Sequence, residues 1–407
     1  MSALMIARRR ALGLIGAASL AGIARPTRAA DAPLKLGVLT DVTSAFSEIS
    51  GAGSIEAARM AIADFGGHAL GQPIAFVSAD HQGKTDIGVS IARQWYDEGV
   101  DAIFDISNSS ISFAVQQMAR DKHKIVVHTG STSTDLTGKA CSPNGFSWGY
   151  DTYSMTHGAP EAAMAGGRKK WFILTWDYTV GYAFQRDLTD AVTKAGGTVV
   201  GTVRSPLGTT DYSSFLLQAH TSGAHLIAVL IAGADLVNAV KQAGEYRIAE
   251  GGQSLVLPVA FVQDVRAIGL QAAQGALMSL DFYWDQTDPT RAFAKRFFAK
   301  MNQMPSRNHA LVYSAATHVM KAAQKAGSRN GDAIAAAMHA MPVEDFFTHG
   351  ARIRADGKLM RDMYLFEVKK PGESRYPWDY LRQLAVIPAE RAFRPLSGSE
   401  CPLVRSQ

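Results

Sequence analysis

Two α/β lobes, each built on a parallel sheet, are the fold this sequence predicts, and three observations predict it. Short β-branched and aromatic runs alternate with apolar residues at helical spacing from residue 34 onward, and the alternation stops and restarts after residue 150. A chain of 407 residues, 47% of them hydrophobic, can also bury more than one core.

The first unit opens with "LKLGVLTDV" as a buried strand, then Ile55, Ala58, Ile62 and Phe65 on one helix face, a stripe that ends at Gly66 and Gly67. "QPIAFVSAD" is the second strand, Ile87, Ile91 and Trp95 mark the second helix, and "DAIFDIS" is the third strand. Ile111, Ala114, Val115 and Met118 form a third apolar stripe before the strand "KIVVHT". Strand–helix repetition of this kind gives a parallel sheet with helices on both faces. The second unit repeats it with "KKWFILTW", "GTVVGTV", "HLIAVLI" and "SLVLPVAF" as strands and "DLVNAVKQAGEYR" as one of the helices between them. Residues 288–327 are helical without strands, and "GARIRADGKLMRDMYLFEVKK" reads as a closing antiparallel pair. These late segments complete the lobes, which are expected to comprise residues 31–150 with 281–350, and 151–280 with 351–407. No Pro- or Ser-rich linker, short internal repeat or low-complexity tract interrupts them.

The N-terminal stretch "MIARRRALGLIGAASLAGIARPTRA" has the order of an export signal over residues 1–29, with an arginine cluster, a mildly apolar run and a small-residue cleavage context. Arg8, Arg9 and Arg10 make it closer to twin-arginine export than to a standard secretory signal. Ala11 to Ala24 is too short and too Gly-rich to span a bilayer, and no later segment does better. Cleavage removes five arginines and no acidic residue, which takes the formal charge from +5 to zero. A neutral chain without an internal Lys/Arg block is not expected to bind nucleic acid or to insert in a membrane. The two cysteines, Cys141 and Cys401, would then lie in an oxidising compartment and are expected to pair. Neither sits in a zinc-binding pattern.

Hydroxyl-bearing residues cluster at two strand ends. Asn108, Ser109 and Ser110 follow "AIFDI" and precede the helix starting near Ile111, and Gly130, Ser131 and Thr132 follow "IVVHT". In an open parallel sheet, ligands bind beyond the carboxyl ends of the strands. Short hydroxyls and free N–H groups there would suit a carboxylate or another anion; alternatively, Ser109 or Ser110 caps the helix and "STSTDLTG" is an ordinary polar turn. Aromatic residues near the lobe junction, Tyr150, Tyr153, Tyr178, Tyr182, Phe261 and Tyr283, are candidates for lining a cleft, with core packing the competing explanation for Phe261 and Tyr283. Enzyme motifs do not appear: "GAGSIE" lacks the third glycine of a dinucleotide fingerprint, there is no P-loop, HExxH or GxSxG, and the His residues are scattered. No cofactor or metal is expected.

The ordered set "LKLGVLTDVTSAFSEISGAGSIEAARMAIADFGG", "NSSISFAVQQMARDKHKIVVHTGSTSTDLT", "WDYTVGYAFQRDL" and "TTDYSSFLLQAHTSGAHLIAVLIAGADLVNAVKQA" resembles the periplasmic solute-binding proteins of branched-chain amino acid (Leu/Ile/Val-binding) type ABC transporters. The resemblance covers nearly all of the chain after the signal. It implies a type I periplasmic binding protein, with two Rossmann-like lobes, three crossovers at the hinge and a ligand held in the cleft by closure. It assigns carboxylate binding to Ser109 and to Gly130, Ser131 and Thr132, and a second-lobe cleft contact to Tyr178. One departure stands out. The family's amino-acid binders hold the α-ammonium with an aromatic in the loop matching "LIAGAD" and an acid near "LPVAFVQD", whereas here Ala232 takes the first place and Val259, Ala260 and Phe261 surround the second, with Asp264 the nearest acid. The expectation is a non-enzymatic periplasmic receptor, monomeric, that passes a small carboxylate without an α-amino group, an aromatic or keto acid, to an inner-membrane ABC permease. The alternatives are a ligand sensor for a chemoreceptor or sensor kinase, a true branched-chain amino acid binder, and an exported α/β enzyme.

Overall fold

A computed structural model describes residues 32–157, 164, 167–248 and 251–405. The export signal expected over residues 1–29 lies outside the described residues. Among the described residues, no helix is long and apolar enough to cross a membrane.

The first lobe is a parallel sheet of β1 (Lys35–Thr40), β2 (Ala75–Asp80), β3 (Ala102–Asp105), β4 (Ile125–His128) and β5 (Gly145–Ser147), in the spatial order β2-β1-β3-β4-β5. Its central strands are buried on both faces, as sheets covered by crossover helices are: β3 and β4 have no exposed residue. Helices α1 (Gly51–Asp64), α2 (Thr85–Asp97) and α3 (Ser109–Asp121) make the crossovers. In α3 the buried stripe is Ile111, Val115 and Ala119, close to the helical spacing predicted.

The second lobe repeats the plan with β6 (Lys170–Trp176), β7 (Thr198–Ser205), β8 (Leu226–Leu230) and β9 (Ser254–Val256), in the order β9-β8-β6-β7. Its helices include α4 (Thr179–Lys194), α5 (Ser213–Thr221) and α6 (Gly233–Glu245). Read from the opposite edge, this is the order of the first four strands of the first sheet. Each sheet therefore has a point where the winding reverses, between β1 and β3 and between β6 and β8, and loops diverge there to leave a crevice.

The late part of the chain departs from the sequence reading. The pair read across "GARIRADGKLMRDMYLFEVKK" is only a short hairpin, Arg352–Ile353 with Leu359–Met360. The apolar run that follows, β11 (Met363–Val368), pairs instead with β10 (Leu277–Leu280) and β12 (Leu381–Ile387) in a separate antiparallel sheet. "SLVLPVAF" is also shorter as a strand than expected, because the chain turns at Leu257 and Pro258 and Ala260 N–H bonds back to Leu257. The long helix α7 (Arg307–Ala326) packs on α1 and α8 (Gly331–Ala340), returning the chain to the first lobe. Cys141 and Cys401 form a disulfide across 260 residues, as their number and context predicted.

Candidate functional site

The carboxyl ends of the two sheets face each other, and the loops between them line a narrow cavity of about 30 Å³. Phe46 and Ile49 come from the loop after β1, Ser107 and Ser109 from the β3–α3 turn, Gly130 and Thr132 from the loop after β4, and Tyr150 from the crossover after β5. Asn308 enters from the first turn of α7. The second lobe supplies Trp176, Tyr178, Val180, Phe184, Ala232, Val259 and Phe261.

Backbone strain shapes the first-lobe wall. The chain leaves β3 through Asp105 (φ 73°) and Ile106 (φ 58°), a left-handed conformation that costs on the order of 1–3 kcal/mol per residue and persists only when its surroundings enforce it. Thr40 Oγ1 donates to Asp105 Oδ2 at 2.7 Å, and Ser131 Oγ donates to the Ile106 carbonyl at 2.6 Å. Burial pushes the Asp105 carboxyl up to about 6, a cost that hydroxyls from Thr40, Thr129 and Ser50 reduce. Gly130 is required beside this turn, since a Cβ there would lie 2.6 Å from Asp105 Oδ1 and 2.9 Å from Ser107 Cα. The result is a tight ledge bearing Ser107 and Ser109 at the start of α3, with Thr132 beside it.

Of the residues singled out from the sequence, Ser109, Gly130, Thr132, Tyr150, Tyr178 and Phe261 line this cavity. Asn108, Ser110, Ser131 and Tyr153 do not. Asn108, rather than Ser109 or Ser110, caps α3: its Oδ1 accepts from Ser110 N–H at 2.9 Å and Ile111 N–H at 3.4 Å. Ser110 Oγ reaches across to Thr179 Oγ1 of the second lobe at 2.9 Å. Ser131 holds the strained turn. Tyr153 stacks on His157 with ring centroids 3.5 Å apart, under Arg394. Tyr182 is exposed and bonds Asp177, and Tyr283 packs against Phe366 of the antiparallel sheet. Sequence reasoning missed Phe46, Ser107, Trp176 and Asn308. Trp176 was legible as the last residue of a strand, the position from which ligand contacts arise; Asn308 carried no local signal.

The family described as periplasmic binding protein matches residues 33–373. The chain belongs to the periplasmic binding proteins. A periplasmic binding protein from Burkholderia mallei is 41% identical over 91% of this chain and 99% of that one, with a TM-score of 0.89. A branched-chain amino acid ABC transporter periplasmic ligand-binding protein from Burkholderia xenovorans is 40% identical over 91% and 100% of the two chains, with a TM-score of 0.81. A solute-binding protein of an ABC transporter from R. palustris, in complex with benzoate, shares the fold at 19% identity, covering 88% and 97% of the chains with a TM-score of 0.78. No curated protein matches. The fold is thus the type I periplasmic binding protein fold that the sequence resemblance implied.

The electrostatics of this binding protein's cavity follow from its lining. None of its lining side chains is acidic or basic. Six are aromatic rings, and two of these, Phe46 of the first lobe and Trp176 of the second, meet edge-to-face at 5.5 Å. Its polar groups are mainly hydroxyls, and the Ser107 hydroxyl is buried without a partner among the described residues. Burial raises the Tyr150 phenol, which keeps it a hydrogen-bond donor. Asp264, the acid nearest the family's ammonium position, lies outside this lining. Its carboxylate accepts the Phe261 N–H at 2.9 Å, and burial pushes it up to about 7.

Proposed function

We propose that this periplasmic binding protein captures a small carboxylate lacking an α-amino group, an aromatic acid or a small keto acid, in the interlobe cavity and delivers it to an inner-membrane ABC permease. The observation that carries this reading is the composition of the lining: rings, hydroxyls and a helix N-terminus, with no acidic side chain. The hydroxyls of Ser109 and Thr132 line the cavity at the N-terminus of α3, whose dipole favours an anion. An α-ammonium buried in the same space would find no counter-charge, which costs several kcal/mol. The rings supply flat apolar walls suited to an aryl group, and the benzoate held by the R. palustris protein shows that this fold accommodates such a ligand.

The name of the B. xenovorans relative favours a second reading, a branched-chain amino acid ligand. A thermal-shift screen of aryl carboxylates, keto acids and L-amino acids separates the two, since ligand at 100 times its dissociation constant stabilises the folded state by about 2.7 kcal/mol. Stabilisation by benzoate or an aliphatic keto acid, and not by leucine or valine, is expected. Leucine binding tightly while its keto acid does not would reverse the assignment.

A further inference from the structure

A carboxylate enclosed between the lobes needs compensating positive charge, and the cavity wall carries none. The compensation stands one layer behind the wall. Arg307 is buried and lies against the Tyr150 ring, its guanidinium carbon 3.4 Å from the ring centroid. Its Nη1 donates to Asn308 Oδ1 at 2.7 Å, so it backs two wall residues at once. Its Nε and Nη2 donate to the two oxygens of Asp281 at 2.7 and 3.0 Å. A second buried guanidinium, Arg361, donates Nη2 to the same Asp281 at 2.8 Å, and its Nε has no partner. Two guanidiniums on one carboxylate leave a positive charge in excess.

Lys358 is matched by Asp151 at 3.0 Å. Burial raises the carboxyls of Asp264 and Asp345, the other acids close enough to act on this group. Gly149 makes room for the arrangement, since a Cβ there would sit 1.8 Å from Arg307 Nη2. A cluster serving stability alone has no use for the second guanidinium, because unmatched buried charge is costly. A bound anion on the far side of Tyr150 would supply a partner.

We infer that the Arg307–Asp281–Arg361 cluster selects for an anionic ligand, acting through the Tyr150 ring and the Asn308 amide. The inference rests on the carboxylate reading above and locates the source of its charge selectivity. Arg307 and Arg361 are positioning residues here, since neither lines the cavity. The test compares benzoate with its neutral isostere benzamide by calorimetry on wild type, Arg361→Met, Arg361→Lys and Asp281→Asn. Arg361→Met should lower the benzoate-to-benzamide affinity ratio about fivefold or more, given unit charges interacting at short range in a protein interior. Arg361→Lys should restore it, and Asp281→Asn should raise it. A merely structural role shifts both probes together and leaves the ratio where it was. If Asp281→Asn does not fold, the Met and Lys variants decide the matter alone. Wild type that binds benzoate, with a ratio that Arg361→Met does not move, overturns this inference and leaves the ligand class standing. Wild type that binds neither probe overturns the aryl-carboxylate ligand and this inference with it.

Discussion

The two lobes bring their backbones together at one point, and Gly233→Ala tests whether binding depends on that approach. Gly233 opens α6 in the second lobe with φ 63°, and a Cβ added there would lie 2.2 Å from the carbonyl oxygen of Ala45 in the first lobe. Two costs follow. The left-handed backbone costs an alanine roughly 1–2 kcal/mol whether the lobes are open or closed, so it lowers stability without affecting closure. Opening of the lobes would remove the contact with Ala45, and relieving it requires the lobes to part by about 1 Å, judged against ordinary van der Waals separation. That displacement breaks the interlobe hydrogen bonds from Ala234 N–H to Ala45 O, at 3.4 Å, and between Ser110 and Thr179, at 2.9 Å. At about 1 kcal/mol each, their loss corresponds to roughly a 30-fold weaker ligand affinity. Gly223→Ala is the control: its φ is 70° and nothing lies within 4 Å of the added Cβ, so it bears the backbone strain without the clash. Calorimetry with a bound carboxylate gives the affinities, and small-angle scattering should show ligand-induced compaction in wild type and Gly223→Ala but reduced compaction in Gly233→Ala. Equal affinities for the two variants would refute the argument that the Ala45–Gly233 approach limits closure.

Three further outcomes are expected. Ser109→Ala and Thr132→Ala should each weaken carboxylate binding about tenfold or more without unfolding the protein, as befits one hydrogen bond to a charged group; calorimetry showing unchanged affinity in both would remove these hydroxyls from the site. Replacing Cys141 and Cys401 by Ala releases a loop of 260 residues and should lower stability by up to about 5 kcal/mol in the chain-entropy account, and an unaltered thermal midpoint would contradict it. Asp264, pushed up to about 7 by burial from an ordinary 3.8, binds more protons folded than unfolded between those values, so its contribution is fully present below pH 3.8 and is lost as pH rises to about 7. The slope is on the order of 1 kcal/mol per pH unit. Asp264→Asn should flatten the fall in stability across that window in urea titrations, and an identical slope in the variant would show that another group is responsible.

Much of this molecule was legible in the order of its residues. Hydrophobic period alone placed β1, β3, β4, β6 and β8 and the helices between them, because a sheet covered on both faces demands continuous apolar strands and one-sided helices. Position at the end of a strand marked Ser109, Gly130, Thr132 and Tyr178, and cysteine number with an oxidising context anticipated the disulfide. Tertiary structure decided which neighbouring hydroxyl faces the cavity. Ser109 and Ser110 are adjacent and chemically alike, yet only the first lines the cavity, because Thr179, distant in sequence, stands ready to bond the second. Ser131 turns inward because the Ile106 carbonyl, freed by a strained turn, needs a donor. Phe46, Trp176 and Asn308 become one surface only when three separate elements converge, and the charge behind them joins Arg307, Asp281 and Arg361 from three more distant points of the chain. Periodicity reports which face of an element is buried, since that follows from local geometry and the aversion of apolar groups to water. The direction a polar side chain takes depends on which partner arrives from elsewhere, and only the folded chain brings that partner near.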